Sequence, residues 1–198
     1  VNLDRSVFIE ESMREVVISL VIALLLVLLV IYLFLGNVRA TLIPAVTIPV
    51  SIIASFLVMA ALGFSINVLT LLGLVLAIGL VVDDSIVVIE NIKRHYVGNA
   101  DKMRAILLSV REVAAAITAS TITTVAVFLP LAFVSDVTGE LFRPFAMTVT
   151  IAMVASLFVS LTIVPVLAYW FLKPGKEVLD AEGRPIDPQH PAAPPTRL

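Results

Sequence analysis

Residues 73–91 read GLVLAIGLVVDDSIVVIEN. From 73 to 89 every residue is glycine or apolar except Asp83, Asp84 and Ser85. A helix that is apolar all round is buried in a large core or spans a membrane. The fold and the function both turn on why two adjacent carboxylates stand inside such a helix.

The rest of the chain favours the membrane. Of its 198 residues, 60% are hydrophobic and 14% charged. Soluble domains carry about half apolar and about a quarter charged residues. The excess arrives in five blocks, at 16–35, 42–62, 66–89, 113–134 and 146–172. Each approaches or exceeds the ~20 helical residues that cross a bilayer core of about 30 Å. None alternates as a barrel strand would. The predicted fold is therefore all-α, a polytopic bundle of five transmembrane helices.

Around this bundle, residues 1–15 read as the end of an extracytoplasmic segment leading into the membrane, and 16–172 as the bundle itself. Residues 173–198 are rich in proline and poor in aromatics, which reads as a disordered linker. Between the blocks, 36–41 and 63–65 read as tight turns, with Asn67 at the start of the next helix. The segment 91–112 reads as a longer connection carrying a short surface helix with Asp101 near its start. The segment 135–145 reads as a loop centred on Gly139, and the prolines Pro44, Pro49, Pro130 and Pro165 as bends near helix ends. No internal repeat is evident. The chain begins at Val1, and residues 1–15 are polar and acidic, unlike a secretory leader. We read the sequence as a piece of a longer protein.

Cations set the expected orientation. Arg39, the five Lys and Arg of 91–112, Lys173, Lys176, Arg184 and Arg197 fall on one side. Only Arg5, Arg14 and Arg143 fall on the other. Cytoplasmic loops carry the excess, so the N-terminus is expected outside and the C-terminus inside. Tyr169, Trp170 and Phe171 then form an aromatic belt at the inner boundary.

Several function classes are excluded or weak. A net charge of -2 gives no basic footprint for nucleic acid. The absence of cysteine removes disulfides and thiolate metal sites. Met13, Met59, Met103, Met147 and Met153 form no ladder of soft ligands, and His95 and His190 have no ligand companion in the sequence, so no metal site is expected. No nucleophile–base pair and no phosphate-binding glycine loop appears, so the protein does not read as an enzyme.

That leaves the acidic pair. By helical rise, Asp84 lies about 9–14 Å from the inner polar boundary. A carboxylate there is costly if ionised and unpaired. No Lys or Arg lies mid-span in any of the five blocks to pair with it. Adjacent helical positions point about 100° apart, so both aspartates can face one protein-lined interior. Burial and mutual repulsion both favour protonation of such carboxylates, and the two titrate as one coupled unit. Asp83 and Asp84 are thus a candidate proton relay. The rival readings are a structural ion pair with a cation elsewhere, or an acidic ring that sets the cation selectivity of a passive channel.

Other residues near the pair have plainer readings. Gly73, Ala77 and Gly79 are expected to serve helix packing. Glu90 and Asn91 read as a solvated inner boundary. Thr118, Ser120, Thr121, Thr123 and Thr124 either line a water path to the aspartates or bond back to their own helix.

Three stretches together resemble a known family. LGNVRATLIPAVTIPVS at 35–51, GFSINVLTLLGLVLAIGLVVDDSIVVIENI at 63–92 and VTGELFRPFA at 137–146 look like the second to sixth membrane helices of resistance–nodulation–division (RND) efflux permeases. The double aspartate resembles the hydrophobe/amphiphile, or multidrug, branch. Heavy-metal and lipid-exporting members are the alternatives. The resemblance implies a proton/substrate antiporter in the bacterial cytoplasmic membrane, driven by the proton motive force and needing no cofactor. It implies that Asp83 and Asp84 carry the protons and pair with a lysine from a second half of the permease that lies outside this sequence. It also implies contact with membrane lipid, a homotrimer and, in Gram-negative cells, a periplasmic adaptor and an outer-membrane channel.

Overall fold

A computed structural model describes residues 5–96 and 101–172, with side chains for all of these but 5–9 and 138. The linker assigned to 173–198 lies outside the described residues, as do 1–4 and 97–100. The described residues form α1 (Arg5–Leu35), α2 (Val38–Ala61), α3 (Val68–Tyr96), α4 (Lys102–Phe128), a 3-10 turn (Leu129–Phe133) and α5 (Val137–Phe171). All five helices are long and apolar enough to cross a membrane.

The turns between helices follow from local chemistry. Gly36 takes a left-handed φ of 58° and its N–H donates to the Tyr32 carbonyl at 3.0 Å, closing α1. A glycine adopts that conformation without a Cβ penalty. Asn37 then caps α2, its Oδ1 accepting from the Arg39 N–H at 2.9 Å. Gly63, at φ 75°, closes α2 in the same way. Asn67 does start α3. Its side chain accepts from the Thr70 N–H at 2.9 Å, and the Thr70 hydroxyl accepts from the Asn67 N–H at 2.8 Å. This is a reciprocal capping arrangement. Asp101 caps α4 through the N–H groups of Met103 and Arg104.

The helices reach further than the apolar blocks that announced them. The expected loop at 135–145 is mostly the first turns of α5, which starts at Val137. The expected surface helix within 91–112 is the extension of α3 to Tyr96 and the beginning of α4 at Lys102. The turn at 36–41 shrinks to Gly36 and Asn37. The reason is length. At about 1.5 Å per residue, the 35 residues of α5 extend well past an apolar layer of about 30 Å. Polar residues in the overhang are no obstacle to helix. Pro44, Pro49 and Pro165 lie inside continuous helices, and only Pro130 sits in a break, the 3-10 turn.

Helix α3 is the axis of the bundle. It packs on α1, α2, α4 and α5, and buries fifteen of its residues. Small residues bring α5 close. A Cβ on Gly73 would stand 3.1 Å from the Phe145 carbonyl oxygen and 3.2 Å from the Thr148 Cβ. Ala77 on α3 and Ala152 on α5 are buried in one cluster with Leu71, Leu74 and Val81. Below it, the Ser156 hydroxyl donates to the Val81 carbonyl at 3.0 Å. A second cluster joins all five helices through Ile31, Ile43, Val88, Ile117 and Val164. In contrast, α1 turns Val17, Ile18, Leu25, Leu26 and Leu33 outward, and α2 turns out Ile53 and Leu57. An outer surface this apolar belongs against lipid or further protein, not water.

At the cation-rich end, two lysines close helix C-termini. Lys93 Nζ donates to the Leu35 carbonyl at 3.0 Å, the last residue of α1. Lys102 Nζ donates to the Tyr169 carbonyl near the end of α5 and lies over the Tyr169 ring at 5.0 Å. Positive charge is favourable where unpaired carbonyls gather.

Candidate functional site

Asp83 and Asp84 share one turn of α3 but not one environment. Asp84 is 6% exposed, the one ionisable carboxylate or cation buried among the described residues. It points to α4, where the Thr121 hydroxyl stands 3.4 Å from its Oδ2. Thr121 is itself 2% exposed. Asp83 is exposed and opens on a cleft of about 280 Å³ between α1 and α3. The walls of that cleft are Leu26, Val27, Val30, Ile31, Gly79, Val82 and Ile86. Within this segment the two aspartates therefore face different flanks of α3. The ~100° between successive residues is enough to send one side chain to each flank of α3.

No described cation lies within ion-pair distance of either carboxylate. The segments packed around Asp84 carry none at that depth, since 16–35, 113–133 and 146–171 contain no charged residue. The 3.4 Å contact is long for an O–H···O hydrogen bond, which prefers about 2.7–2.8 Å. Thr121 thus partners the carboxylate weakly and without neutralising it.

Among the α4 hydroxyls at 118–124, two bond back to their own helix and one meets an aspartate directly. Thr121 reaches the acidic pair. Thr123 and Thr124 donate to the carbonyls of Ala119 and Ser120 in their own helix, at 2.8 and 3.1 Å. The small residues divide too. Gly73 and Ala77 serve close packing, whereas a Cβ on Gly79 would meet nothing within 4 Å, because Gly79 borders the Asp83 cleft.

Asn91 is not a solvated boundary residue. It is 8% exposed, and its Nδ2 donates to the Ser109 carbonyl at 2.9 Å and to Glu112 Oε2 at 3.1 Å. Glu112 also accepts from Arg94 at 2.9 Å, and His95 Nε2 lies 3.3 Å from it. Glu90 is exposed and pairs only with Lys93, at 3.8 Å. The sequence reading missed Thr121 as the particular partner of Asp84 and missed the whole Asn91–Glu112 junction. The one available signal was polarity recurring on α3 at 84, 91 and 95, on the flank that meets α4.

Five helices long and apolar enough to cross a membrane, with a buried carboxylate on the central one, fit a polytopic membrane protein. The sequence pattern of the AcrB/AcrD/AcrF family matches residues 1–182, and the chain belongs to that family. It is 49% identical over 170 residues to the multidrug resistance protein MdtC of Yersinia pseudotuberculosis serotype O:1b (strain IP 31758), covering 86% of this chain and 17% of that protein. Against MdtC of Escherichia coli O139:H28 (strain E24377A / ETEC) the identity is 47% over 173 residues, 87% of this chain and 17% of that protein. MdtC of Klebsiella pneumoniae (strain 342) is 48% identical over 173 residues, with the same shares. The chain thus spans about a sixth of the length of the curated relatives it matches. The RND resemblance seen in the sequence holds, and the relatives are named for multidrug resistance.

Proposed function

We propose that this segment couples proton entry to drug export in an RND permease of the bacterial cytoplasmic membrane, with Asp83 and Asp84 as the proton relay. One observation carries the reading. A buried carboxylate, Asp84, is held at mid-helix with only a hydroxyl for a partner, while its neighbour Asp83 faces an open cleft. An ionised group so placed is costly unless it takes up a proton or a cation. The cleft leaves room for a lysine from a second half of the permease to reach Asp83. Protonation would release that lysine, and the helices would then settle in a different arrangement.

The driving force is adequate. One charge crossing 100 mV is worth about 2.3 kcal/mol, enough to bias two states separated by a few kcal/mol. Amphiphilic drugs are the proposed substrate, in line with the names of the relatives. Assembly as a homotrimer, with an adaptor and an outer-membrane channel where the cell has two membranes, belongs to the same proposal.

The test is dye efflux from pump-deficient cells carrying the permease that contains this segment, at equal membrane levels. Wild type extrudes dye until an uncoupler is added. Asp83→Asn and Asp84→Asn assemble but do not extrude it. Uncoupler-sensitive efflux at wild-type rates in both variants would reject the relay.

A further inference from the structure

Helices α3 and α4 meet along a seam with polar contacts at two levels, and the two levels differ greatly in strength. At the cation-rich end, Asn91 Nδ2 bonds to the Ser109 carbonyl and to Glu112. The Ser109 hydroxyl lies 3.2 Å from the Asn91 carbonyl and 2.7 Å from that of Ala105. Arg94 bonds to the second Glu112 oxygen. Asn91 is 8% and Ser109 0% exposed, so the bonds between these two form out of water, where an unmade one is expensive, whereas Arg94 and Glu112 are about half exposed. Deeper in the bundle the seam has a single polar contact, the 3.4 Å approach of Thr121 to Asp84.

Apolar burial along α4 is lopsided in the same sense. Its buried residues are Ala105, Ile106, Ser109, Ile117 and Thr121. Beyond Thr121, no residue up to Phe128 is buried. At the end of that stretch the Phe128 ring packs edge-on with Phe145 of α5, 6.2 Å between centroids.

We infer that the Asn91–Ser109–Glu112 junction is a fixed pivot, about which the far half of α4 moves when the Asp84–Thr121 contact is made or broken. Asn91 and Glu112 are then positioning residues: they touch neither Asp83 nor Asp84, but they hold Thr121 at its place beside Asp84. Thr121 stands nine residues along α4 from Glu112, about 14 Å by helical rise. A small displacement at Thr121 is therefore enlarged towards Phe128 and the 3-10 turn. Among the described residues, the Thr121 hydroxyl is the polar group in contact with Asp84, and Asp83, its neighbour in sequence, points to the other flank of α3. The membrane-depth parts of α1, α4 and α5 contain no charged residue that could substitute for them. The inference rests on the proton-relay reading for its trigger and on the seam geometry for its mechanics.

Two spin-label pairs in the assembled permease test it. In a permease whose cysteines outside this segment have been replaced, labels are placed at the pair Leu72 and Val127 and at the pair Val87 and Leu108, all exposed in the segment, which itself has no cysteine. Asp84→Asn stands in for the protonated carboxyl. It is expected to shift the Leu72–Val127 distance and leave Val87–Leu108 unchanged. Asn91→Leu is expected to broaden Val87–Leu108, to abolish the response of Leu72–Val127 to Asp84→Asn, and to lower efflux roughly 2- to 30-fold. Glu112→Gln keeps an acceptor for Asn91 and is expected to preserve the response. If Asn91→Leu does not reach the membrane, Asn91→Ala takes its place, since it removes the same two bonds with a smaller side chain.

Equal movement of both pairs in Asp84→Asn, or of neither, overturns the pivot. So does an intact response in Asn91→Leu, or in Asn91→Ala where that variant is used. Loss of the relay reading is seen separately, as retained uncoupler-sensitive efflux in Asp84→Asn.

Discussion

The Thr121 hydroxyl on α4 stands 3.4 Å from the Asp84 carboxylate on α3, and both side chains are buried. This pair joins the helix at the centre of the bundle to one held near its edge. Asp83, one residue away, takes no part in it and opens on the opposite flank. The two carboxylates therefore report to different neighbours. In the proposed cycle, Asp83 meets the second half of the permease and Asp84 meets α4.

Removing the hydroxyl should matter more than changing its carrier. Thr121→Val takes away the one donor in contact with Asp84 among the described residues and is expected to alter the energetics of proton uptake by at most about 1 kcal/mol, the net worth of a typical hydrogen bond, because the contact is long. Thr121→Ser keeps the donor and should transport as wild type does. Initial efflux rates across a series of external pH values check this. A Thr121→Val profile superimposed on that of wild type would show that the hydroxyl is mere packing.

The two glycines before the acidic pair should respond in opposite ways. A side chain at Gly73 runs into the Phe145 carbonyl and Thr148, so Gly73→Leu should cost about 1–3 kcal/mol through overpacking. Gly79 borders open space. Gly79→Ala should leave stability unchanged or raise it by up to about 1 kcal/mol, since alanine is the better helix former. Thermal unfolding of the two detergent-solubilised variants against wild type decides the matter.

Gly139 should tolerate nothing larger. Any Cβ there would overlap the backbone carbonyl of Val134, which no flexible side chain can relieve. Gly139→Ala is expected to destabilise by about 3 kcal/mol, the upper part of the overpacking range. The measurement is the fraction of folded protein recovered from membranes, with Gly79→Ala as the matched control.

The two lysines that close helix C-termini predict a modest, additive effect. Lys93→Gln and Lys102→Gln each remove a positive charge facing terminal carbonyls, on Leu35 and Tyr169 respectively. Each should cost about 0.3–1 kcal/mol. Their sites share no partner, so the double variant should lose about the sum. Melting temperatures at low and high salt test the charge contribution, which should shrink as salt rises.

The sequence disclosed those parts of the fold that hydrophobicity alone determines. Five apolar runs became five helices because a backbone in lipid must satisfy its own hydrogen bonds. Gly36, Asn67 and Asp101 marked helix ends because capping is local chemistry. The overhangs were hidden for the converse reason. The stretch 102–112 is polar enough to resemble a loop, and 137–145 adds Gly139 and Pro144, yet both run as helix in the folded bundle. Of the site, Asp83 and Asp84 were legible as polarity where apolarity is required. Their divergence was not, since it depends on which helices lie on each flank of α3. Asn91 was misread because its partners, Ser109 and Glu112, stand 18 and 21 residues away and meet it only in the folded bundle.

Only Gly36 and Asn37 separate α1 from α2. Gly36 needs its left-handed conformation, and Asn37 is spent on the cap of α2. There is no slack between them. Inserting one residue at this corner would rotate α2 by about 100° and advance it by about 1.5 Å. Ile43, Thr47 and Ile48, now fully inside, would swing towards the lipid together. The corner thus fixes the angular phase of one helix against the next, and its length should be as strictly held as the identity of any aspartate.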